Sequence, residues 1–186
     1  DPDEIQFLGN LKGTDGKPVF DESILNFFQR FKFECDVYAI PEGTAVQANS
    51  PVIRIEGPLI QAQLVESVLL NIINYSSIIA TKAAVIKSAA QNDDCYEFGL
   101  RRAHGPDGAL SASRAAYIGG FDGTSNVLAG QIYGIPLRGT QAHSWVMAFD
   151  NELDAFQQFA DAMPNHCSLL IDTYETKVGI QNAIKI

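Results

Sequence analysis

The chain has 186 residues, enough for one domain of ordinary size or for parts of two. Its hydrophobic fraction is 46% and its charged fraction 19%, so it can bury a core and is not a disordered polymer. The formal net charge is −9, which argues against general binding to nucleic acid or to an anionic membrane. An anionic ligand would therefore have to be held by local Arg, Lys or backbone N–H groups.

The cysteines and the apolar stretches indicate a cytosolic protein. Cys35, Cys95 and Cys167 are odd in number and widely spaced, which is typical of reduced thiols and offers no structural zinc motif. The most apolar stretch, residues 68–84, is interrupted by polar side chains, which argues against a membrane span. The chain begins without Met and ends inside a predicted helix, so we expect both ends to be cut.

The first half of the chain predicts mixed helix and strand. Asp21 is placed to cap a helix that starts at residue 22, and alternating apolar residues predict strands over 35–40 and 52–55. A small sheet is the simplest arrangement of these strands. Residues 59–90 follow a helical pattern that is apolar on many sides, so we expect one or two buried helices there.

The second half predicts four strand-then-helix units. Short apolar strands are expected at 95–100, near 121, at 135–137 and at 169–171. This alternation is typical of a parallel α/β sheet, whose sites lie at the carboxyl ends of the strands. A guanidinium pair, a Gly/Thr/Ser turn, an imidazole and a carboxylate follow those ends, a set that suits an anionic substrate: Arg101, Arg102, residues 122–126, His143 and Asp172.

Each of these features also has a purely structural interpretation. The turn at residues 122–126 could bind a carboxylate or phosphate, but such turns are usually only helix caps. His143 could be a core or capping residue, and Asp172 could either ligate Mg²⁺ or cap the next helix. Spacing alone therefore indicates part of an α/β enzyme with an anionic substrate and leaves the reaction open.

Longer segments are more specific than any single residue. EFGLRRAHGPDGALSASRAAYIGGFDGTSNVLAG, GIPLRGTQAHSWVMAF and LLIDTYET follow one another along the chain. Together they closely resemble the nicotinate phosphoribosyltransferase family, a type II phosphoribosyltransferase family. The upstream IPEGTAVQANSPVIRIEGPLIQAQLVES is similar to the same family, so the resemblance covers nearly the whole chain.

The resemblance implies both a fold and a division into domains. Residues 95–186 would be the first four βα units of an irregular, TIM-like (β/α) barrel, incomplete because a closed barrel needs eight units. Residues 1–94 would be part of an α+β sandwich-type N-terminal domain.

The resemblance also implies a reaction. Family members make nicotinate mononucleotide and pyrophosphate from nicotinate and phosphoribosyl pyrophosphate, with Mg²⁺ as cofactor, in the salvage of NAD. ATP hydrolysis drives the equilibrium through a transient phosphohistidine, which the GTQAHS segment assigns to His143, with Thr140 and Ser144 as substrate-binding neighbours. Asp172, with Thr173 beside it, matches a carboxylate that acts around the ribose or Mg²⁺. No residue is assigned as a metal ligand proper.

Binding of the base is assigned by the same resemblance. Phe98 would stack on the pyridine ring, and Arg101 would lie near the nicotinate carboxylate or the phosphates. Thr124, Ser125 and Asn126 occupy the region where the related amide-using enzyme carries an aspartate. Because an aspartate would repel the carboxylate of nicotinate, neutral donors here favour the acid over the amide.

The resemblance further implies a cytoplasmic homodimer whose site lies at the subunit interface, with no nucleic-acid or membrane partner. Two alternatives stay open: a nicotinamide phosphoribosyltransferase, and an inactive piece that acts only as a folded interaction module. Because family members are much longer, the 186 residues alone are expected to be inactive. His104 stands where many relatives have Gln, and the residues after DTYET depart from the family pattern.

Overall fold

The computed structural model describes all 186 residues, which divide into two compact units, Asp1–Leu70 and Asn71–Ile186. The chain is a mixed α/β protein with two small sheets, as expected from its sequence. The predicted domain boundary between residues 94 and 95 stays a prediction. The helices and strands are α1 (Pro2–Asn10), α2 (Glu22–Gln29), β1 (Asp36–Ala39), β2 (Ile53–Glu56), α3 (Leu59–Ala90), β3 (Tyr96–Glu97), α4 (Gly105–Ile118), β4 (Gly123–Thr124), α5 (Val127–Tyr133), α6 (His143–Val146), α7 (Glu152–Ala162) and α8 (Thr176–Ala183), with a 3₁₀ turn at Leu100–Arg102.

The first unit contains the elements that its sequence predicts. Asp21 caps α2, because its carboxylate accepts a hydrogen bond of 3.0 Å from the backbone N–H of Ile24. Strands β1 and β2 pair in antiparallel fashion, with Asp36 opposite Glu56 at one end of the ladder. Both strands lie within one or two residues of their predicted positions.

Helix α3 is one continuous helix of 32 residues, and the expectation that it is buried is wrong for this chain. Only Gln61 and Ala83 are buried along it, whereas Leu59 and Val85 are 76% and 65% exposed. The helix is apolar on more sides than the rest of this chain covers. By length and composition alone α3 is also long and apolar enough to cross a membrane, a criterion that core helices of soluble proteins meet as well.

The second unit has a small parallel sheet. Tyr96 of β3 lies opposite Gly123 of β4, and Thr124 forms a further parallel bridge to Leu137. A Cβ atom on Gly123 would lie 2.6 Å from the carbonyl oxygen of Pro136, so this close approach requires glycine. The first predicted strand, 95–100, is shorter than expected because the chain turns into the 3₁₀ helix at Leu100–Arg102.

The fourth predicted strand, at residues 169–171, does not form. The backbone N–H of Leu170 donates instead to the Gln141 side-chain carbonyl at 3.0 Å, so a side chain takes the place of a neighbouring strand. The apolar residues of this segment still serve the core. Leu169 and Ile171 pack against the fully buried cluster of Val146, Ala155 and Phe156.

Candidate active site

The loops that follow β3 and β4 start from the same edge of the parallel sheet. The backbone N–H of Ser125 donates to the carbonyl of Glu97 at 3.0 Å, which extends the parallel pairing one residue past β4. Phe98 follows Glu97 directly and is 45% exposed. Two of the predicted base-site residues, Phe98 and Ser125, therefore leave the sheet at neighbouring points.

The loop after β3 separates its two arginines. Phe98 and Arg102 line a cavity of about 610 Å³ with mostly apolar walls from α3 and α4, whereas Arg101 does not line it; both arginines are exposed. Consecutive residues of a 3₁₀ turn point about 120° apart, which accounts for the divergence. Arg101, the predicted ligand of the substrate anions, is thus at the surface and does not line the cavity.

The turn after β4 contains two residues whose side chains have structural partners. Asn126 caps α5: its side-chain oxygen accepts from the N–H of Ala129 at 3.3 Å, and its amide nitrogen donates to Ser113 Oγ at 3.3 Å. Thr124 is fully buried, and its hydroxyl lies 2.7 Å from a carboxylate oxygen of Glu97. Ser125 between them is half-buried and has no capping role.

An ion pair with Lys87 holds Asp122, the residue directly before β4. Lys87 Nζ lies 2.7 Å from Asp122 Oδ2, and the backbone N–H of Cys95 donates to the same oxygen at 2.8 Å. The hydrogen bond from Lys87, followed by that from Cys95, lowers the pKa of Asp122, and the bond to Asp122 raises the pKa of Lys87. The end of α3 is thereby tied to the entry of β4.

The structure brings His143 together with the polar residues that follow the segment 169–171. His143 begins α6, and its Nδ1 lies 3.2 Å from the hydroxyl of Thr173. Its Nε2 lies 4.0 Å from Asp172 Oδ1, and both of these side chains are about half exposed. An accessible imidazole next to a carboxylate and a hydroxyl is an arrangement that can accept and release a phosphoryl group.

His143, Asp172 and Thr173 together form the second cluster. Gln141 connects the two chain segments that form it. It is 5% exposed, and its side-chain oxygen bonds to Leu170, two residues before Asp172, while Gln141 itself lies two residues before His143. The hydroxyl of Thr140 donates a hydrogen bond of 2.9 Å to the carbonyl of Gln141. Ser144 is exposed in the first turn of α6.

The parallel sheet connects this second cluster to the first cluster, which is formed by the predicted base-site residues Phe98, Arg101 and Ser125. Arg138 donates its backbone N–H to the carbonyl of Thr124 at 3.0 Å, directly after Leu137 pairs with Thr124. Because the pairing is parallel, Gly139 and the segment that leads to His143 leave the sheet at the same edge as Ser125. The expectation of one shared edge for the loops after the first three predicted strands agrees with this geometry.

The second cluster can bind a magnesium ion through a single carboxylate, with the other ligands supplied by substrate phosphates and water. The chain has no group of three or more His, Cys, Asp and Glu side chains arranged to hold a metal ion. Asp172, 57% exposed beside His143, can supply one carboxylate. That matches the way Mg²⁺ usually binds in phosphate chemistry, through one or two carboxylates together with substrate phosphates and water.

Several residues of the site were not predicted from the sequence. They are buried or half-buried polar side chains that bond to the predicted residues or to their neighbours: Lys87, Glu97, Ser113 and Gln141. A charged residue at the end of a short apolar strand, as at Glu97, is the one sequence signal that could have marked this group.

Comparison with known families covers both halves of the chain. Residues 1–74 match the nicotinate phosphoribosyltransferase (NAPRTase) N-terminal domain, and residues 94–185 match the nicotinate phosphoribosyltransferase (NAPRTase) family. Both matches name the same family, and they lie on either side of the second half of α3.

Individual relatives agree. The chain is 42% identical to the nicotinate phosphoribosyltransferase of Bacillus subtilis over 98% of its own length and 39% of the relative's. It is 43% identical to nicotinate phosphoribosyltransferase pncB2 of Mycobacterium tuberculosis over 95% of its length and 38% of the relative's. The chain thus spans about two fifths of the curated relatives that it matches.

A solved structure has the same fold. Human nicotinic acid phosphoribosyltransferase superposes on the chain with a TM-score of 0.82 at 32% sequence identity, over 95% of this chain and 44% of the human chain. The fold, the two family matches and the relatives lead to the same assignment. The chain belongs to the nicotinate phosphoribosyltransferase family.

Proposed function

We propose that the complete protein is a nicotinate phosphoribosyltransferase of NAD salvage. It would convert nicotinate and phosphoribosyl pyrophosphate into nicotinate mononucleotide and pyrophosphate, coupled to ATP hydrolysis through a phosphohistidine at His143. The observation that carries this proposal is the hydrogen bond between Ser125 and Glu97, which places the loops after β3 and β4 side by side. Those loops carry the residues that the family resemblance assigns to the base.

Recognition of the pyridine ring is proposed for the first cluster. Phe98 is exposed at the end of β3, where its ring can stack on the flat face of nicotinate. Arg101 is exposed one turn further on and can supply the positive charge that the overall charge of −9 does not.

Selection of the acid over the amide is proposed for Ser125. Asn126 has its side chain committed to Ala129 and Ser113, whereas Ser125 is half-buried beside the loop of Phe98. A neutral hydroxyl at this point can donate to the nicotinate carboxylate, and no aspartate is present there to repel it.

The chemical step needs positioning and charge stabilisation more than a protein nucleophile. The pyridine nitrogen forms a bond to the anomeric carbon while the bond from that carbon to pyrophosphate breaks, and pyrophosphate leaves with the electron pair. The residues around the loops hold the ring in line with the breaking bond. Bound Mg²⁺ would neutralise charge on the departing pyrophosphate.

Coupling to ATP is proposed for the second cluster. Thr173 and Asp172 flank the two ring nitrogens of His143, so they can fix the ring orientation. A ring nitrogen would then form a bond to the γ-phosphorus of ATP while the bond from that phosphorus to the β–γ bridging oxygen breaks, and ADP would leave with the electron pair. The phosphoimidazole adds negative charge near the proposed pyrophosphate site and can change substrate and product affinities there. Hydrolysis of the phosphohistidine then returns the free imidazole and phosphate.

The proposal also includes the barrel fold, the oligomeric state and the cellular location of the protein. Residues 95–186 are the first part of an irregular (β/α) barrel, supported by the parallel pairing of β3, β4 and Leu137. A homodimer with the site at its interface follows from the family resemblance. A cytoplasmic location is supported by the three free cysteines.

The experiment is a product assay with the protein made from its complete coding sequence. Incubation with nicotinate, phosphoribosyl pyrophosphate, ATP and Mg²⁺ should yield nicotinate mononucleotide and pyrophosphate in equal amounts. Failure to form nicotinate mononucleotide by well-folded protein would contradict the proposal.

A further inference from the structure

Glu97 is the last residue of β3, and its carboxylate bonds to three separate segments. Oε2 accepts from the hydroxyl of Ser113 in α4 at 2.8 Å and from the hydroxyl of Thr124 in β4 at 2.7 Å. Oε1 accepts from the backbone N–H of Gly99, in the loop that follows β3. All three partners are donors, and both carboxylate oxygens act as acceptors.

These bonds close into a ring that includes Asn126. The backbone N–H of Asn126 donates to Thr124 Oγ1 at 3.0 Å, and its side-chain amide donates to Ser113 Oγ at 3.3 Å. Both hydroxyls therefore accept from Asn126 and donate to Glu97, and Ser113 Oγ also lies 3.0 Å from the carbonyl oxygen of Ala109. Ser113, Thr124 and Asn126 are all buried, so a lost partner in this ring is not readily replaced by water.

The main chain of Glu97 reinforces the same connection. Its carbonyl accepts from the N–H of Ser125 at 3.0 Å, while its carboxylate binds Gly99 on the other side of Phe98. One residue thus fixes the loop that carries Phe98 and the turn that carries Ser125.

We infer that Glu97 is a positioning residue that sets the spacing between Phe98 and Ser125, and hence the fit of the pyridine base. This inference rests on the proposed function. Glu97 does not bind the substrate itself. Its two carboxylate oxygens are taken up by donors from Gly99, Ser113 and Thr124, so it holds these segments together rather than contacting the base.

Glu97→Gln is a close isostere that breaks this arrangement. The variant keeps one acceptor oxygen but turns the other into an amide donor. At the Oε1 position that donor would face the backbone N–H of Gly99, and at the Oε2 position it would face the hydroxyl hydrogens of Ser113 and Thr124. Glu22→Gln, at an exposed position in the first turn of α2, is the matched control for the same loss of charge.

The test compares steady-state kinetics of the complete wild-type protein and the two variants. In Glu97→Gln the KM for nicotinate should rise about tenfold or more, while the KM for phosphoribosyl pyrophosphate stays within about twofold. Glu22→Gln should match wild type. An unchanged KM for nicotinate in Glu97→Gln, or an equal rise in both KM values, would overturn the inference, since a merely structural role does not select one substrate.

Hydrogen exchange separates this inference from the proposed function. In the ligand-free protein, the amides of Gly99 and Asn126 should exchange faster in Glu97→Gln than in wild type, with no change in Glu22→Gln. Wild-type protein that forms no nicotinate mononucleotide contradicts the proposed function whatever the variants do. Unchanged exchange at both amides contradicts the positioning role even if the enzyme is active.

Discussion

The imidazole Nδ1 of His143 lies 3.2 Å from the hydroxyl of Thr173, which is 30 residues further along the chain. This contact joins a helix start to the end of an extended segment, next to the carboxylate of Asp172. Two regions that are separate in sequence thereby form one polar cluster. The proposed phosphoryl carrier and the residues that orient it come from these two regions.

Replacing His143 should remove the phosphoryl acceptor. After incubation of the complete protein with ATP and Mg²⁺, wild type should carry an acid-labile phosphate and His143→Ala should carry none, because no other side chain of the cluster is an imidazole. Mass spectrometry under alkaline conditions makes the comparison. His166→Ala, at another exposed histidine, is the control and should still be labelled; a labelled His143→Ala protein would mean that the wrong histidine is assigned.

Replacing Ser125 should change the choice between acid and amide. Ser125→Asp places a carboxylate near that of nicotinate, and this like-charge contact should lower kcat/KM for nicotinate by about tenfold or more. Activity with nicotinamide should fall much less, since an aspartate can accept from its amide group. Ser125→Ala, which adds no charge, should keep the preference for nicotinate. Equal losses on both substrates in Ser125→Asp would contradict the role of this residue.

Replacing Asn126 should affect stability, in contrast to Ser125. Asn126→Ala removes the cap of α5 and the hydrogen bond from the side-chain amide to Ser113 Oγ, so the free energy of unfolding should fall by about 1–2 kcal/mol. Urea unfolding measures the change. Asn151→Ala removes the equivalent cap of α7 and should have a similar effect on stability.

The ion pair of Lys87 and Asp122 should make stability depend on pH in a defined direction. The folded-state pKa of Asp122 is lowered from 3.8, so its contribution is present above that value and is lost as the pH falls through the lower, folded-state pKa. The pKa of Lys87 is raised from 10.5, so its contribution is lost only as the pH rises beyond that value.

Asp122→Asn tests this relationship. The stability difference between wild type and the variant should be constant near neutral pH and should shrink under acidic conditions, where wild-type Asp122 becomes protonated. Chemical unfolding across a pH series provides the measurement. Asp15→Asn, at an exposed carboxylate 3.8 Å from Lys17, should differ little from wild type throughout. A gap that widens in acid would refute the assignment.

Gly123 should not tolerate a side chain. Gly123→Ala brings a Cβ to 2.6 Å from the Pro136 carbonyl oxygen, and the resulting overpacking should cost about 1–3 kcal/mol. Gly108→Ala is the matched control inside α4, where the nearest atom, the Tyr75 hydroxyl oxygen, would lie at 3.6 Å. That variant should be as stable as wild type or more so, because alanine favours the helix. Thermal unfolding distinguishes the two.

The local patterns in the sequence predict most elements of the fold. The capping residue Asp21 and the alternation around β1 and β2 identify their elements to within two residues. The parallel pairing of β3 with β4 is also predicted by the alternation of strands and helices. The cap and the strand alternation depend on neighbours in sequence, which a single sequence displays directly.

Features that depend on distant partners could not be predicted in the same way. The segment 169–171 has the composition of a strand, but Gln141 supplies its backbone partner. The exposure of α3 depends on what surrounds it rather than on its own apolar pattern. Asn126 and Ser125 are adjacent polar residues in a turn, and only the three-dimensional contacts assign one to the cap and leave the other without a capping role.

A competition between nicotinate and nicotinamide tests the central claim most directly. The complete protein is supplied with both bases in equal amounts, with phosphoribosyl pyrophosphate, ATP and Mg²⁺, and the two mononucleotide products are separated and counted. The arrangement of Phe98 and Ser125 predicts nicotinate mononucleotide as the dominant product. Dominant formation of nicotinamide mononucleotide, or of neither product by folded protein, would contradict the account.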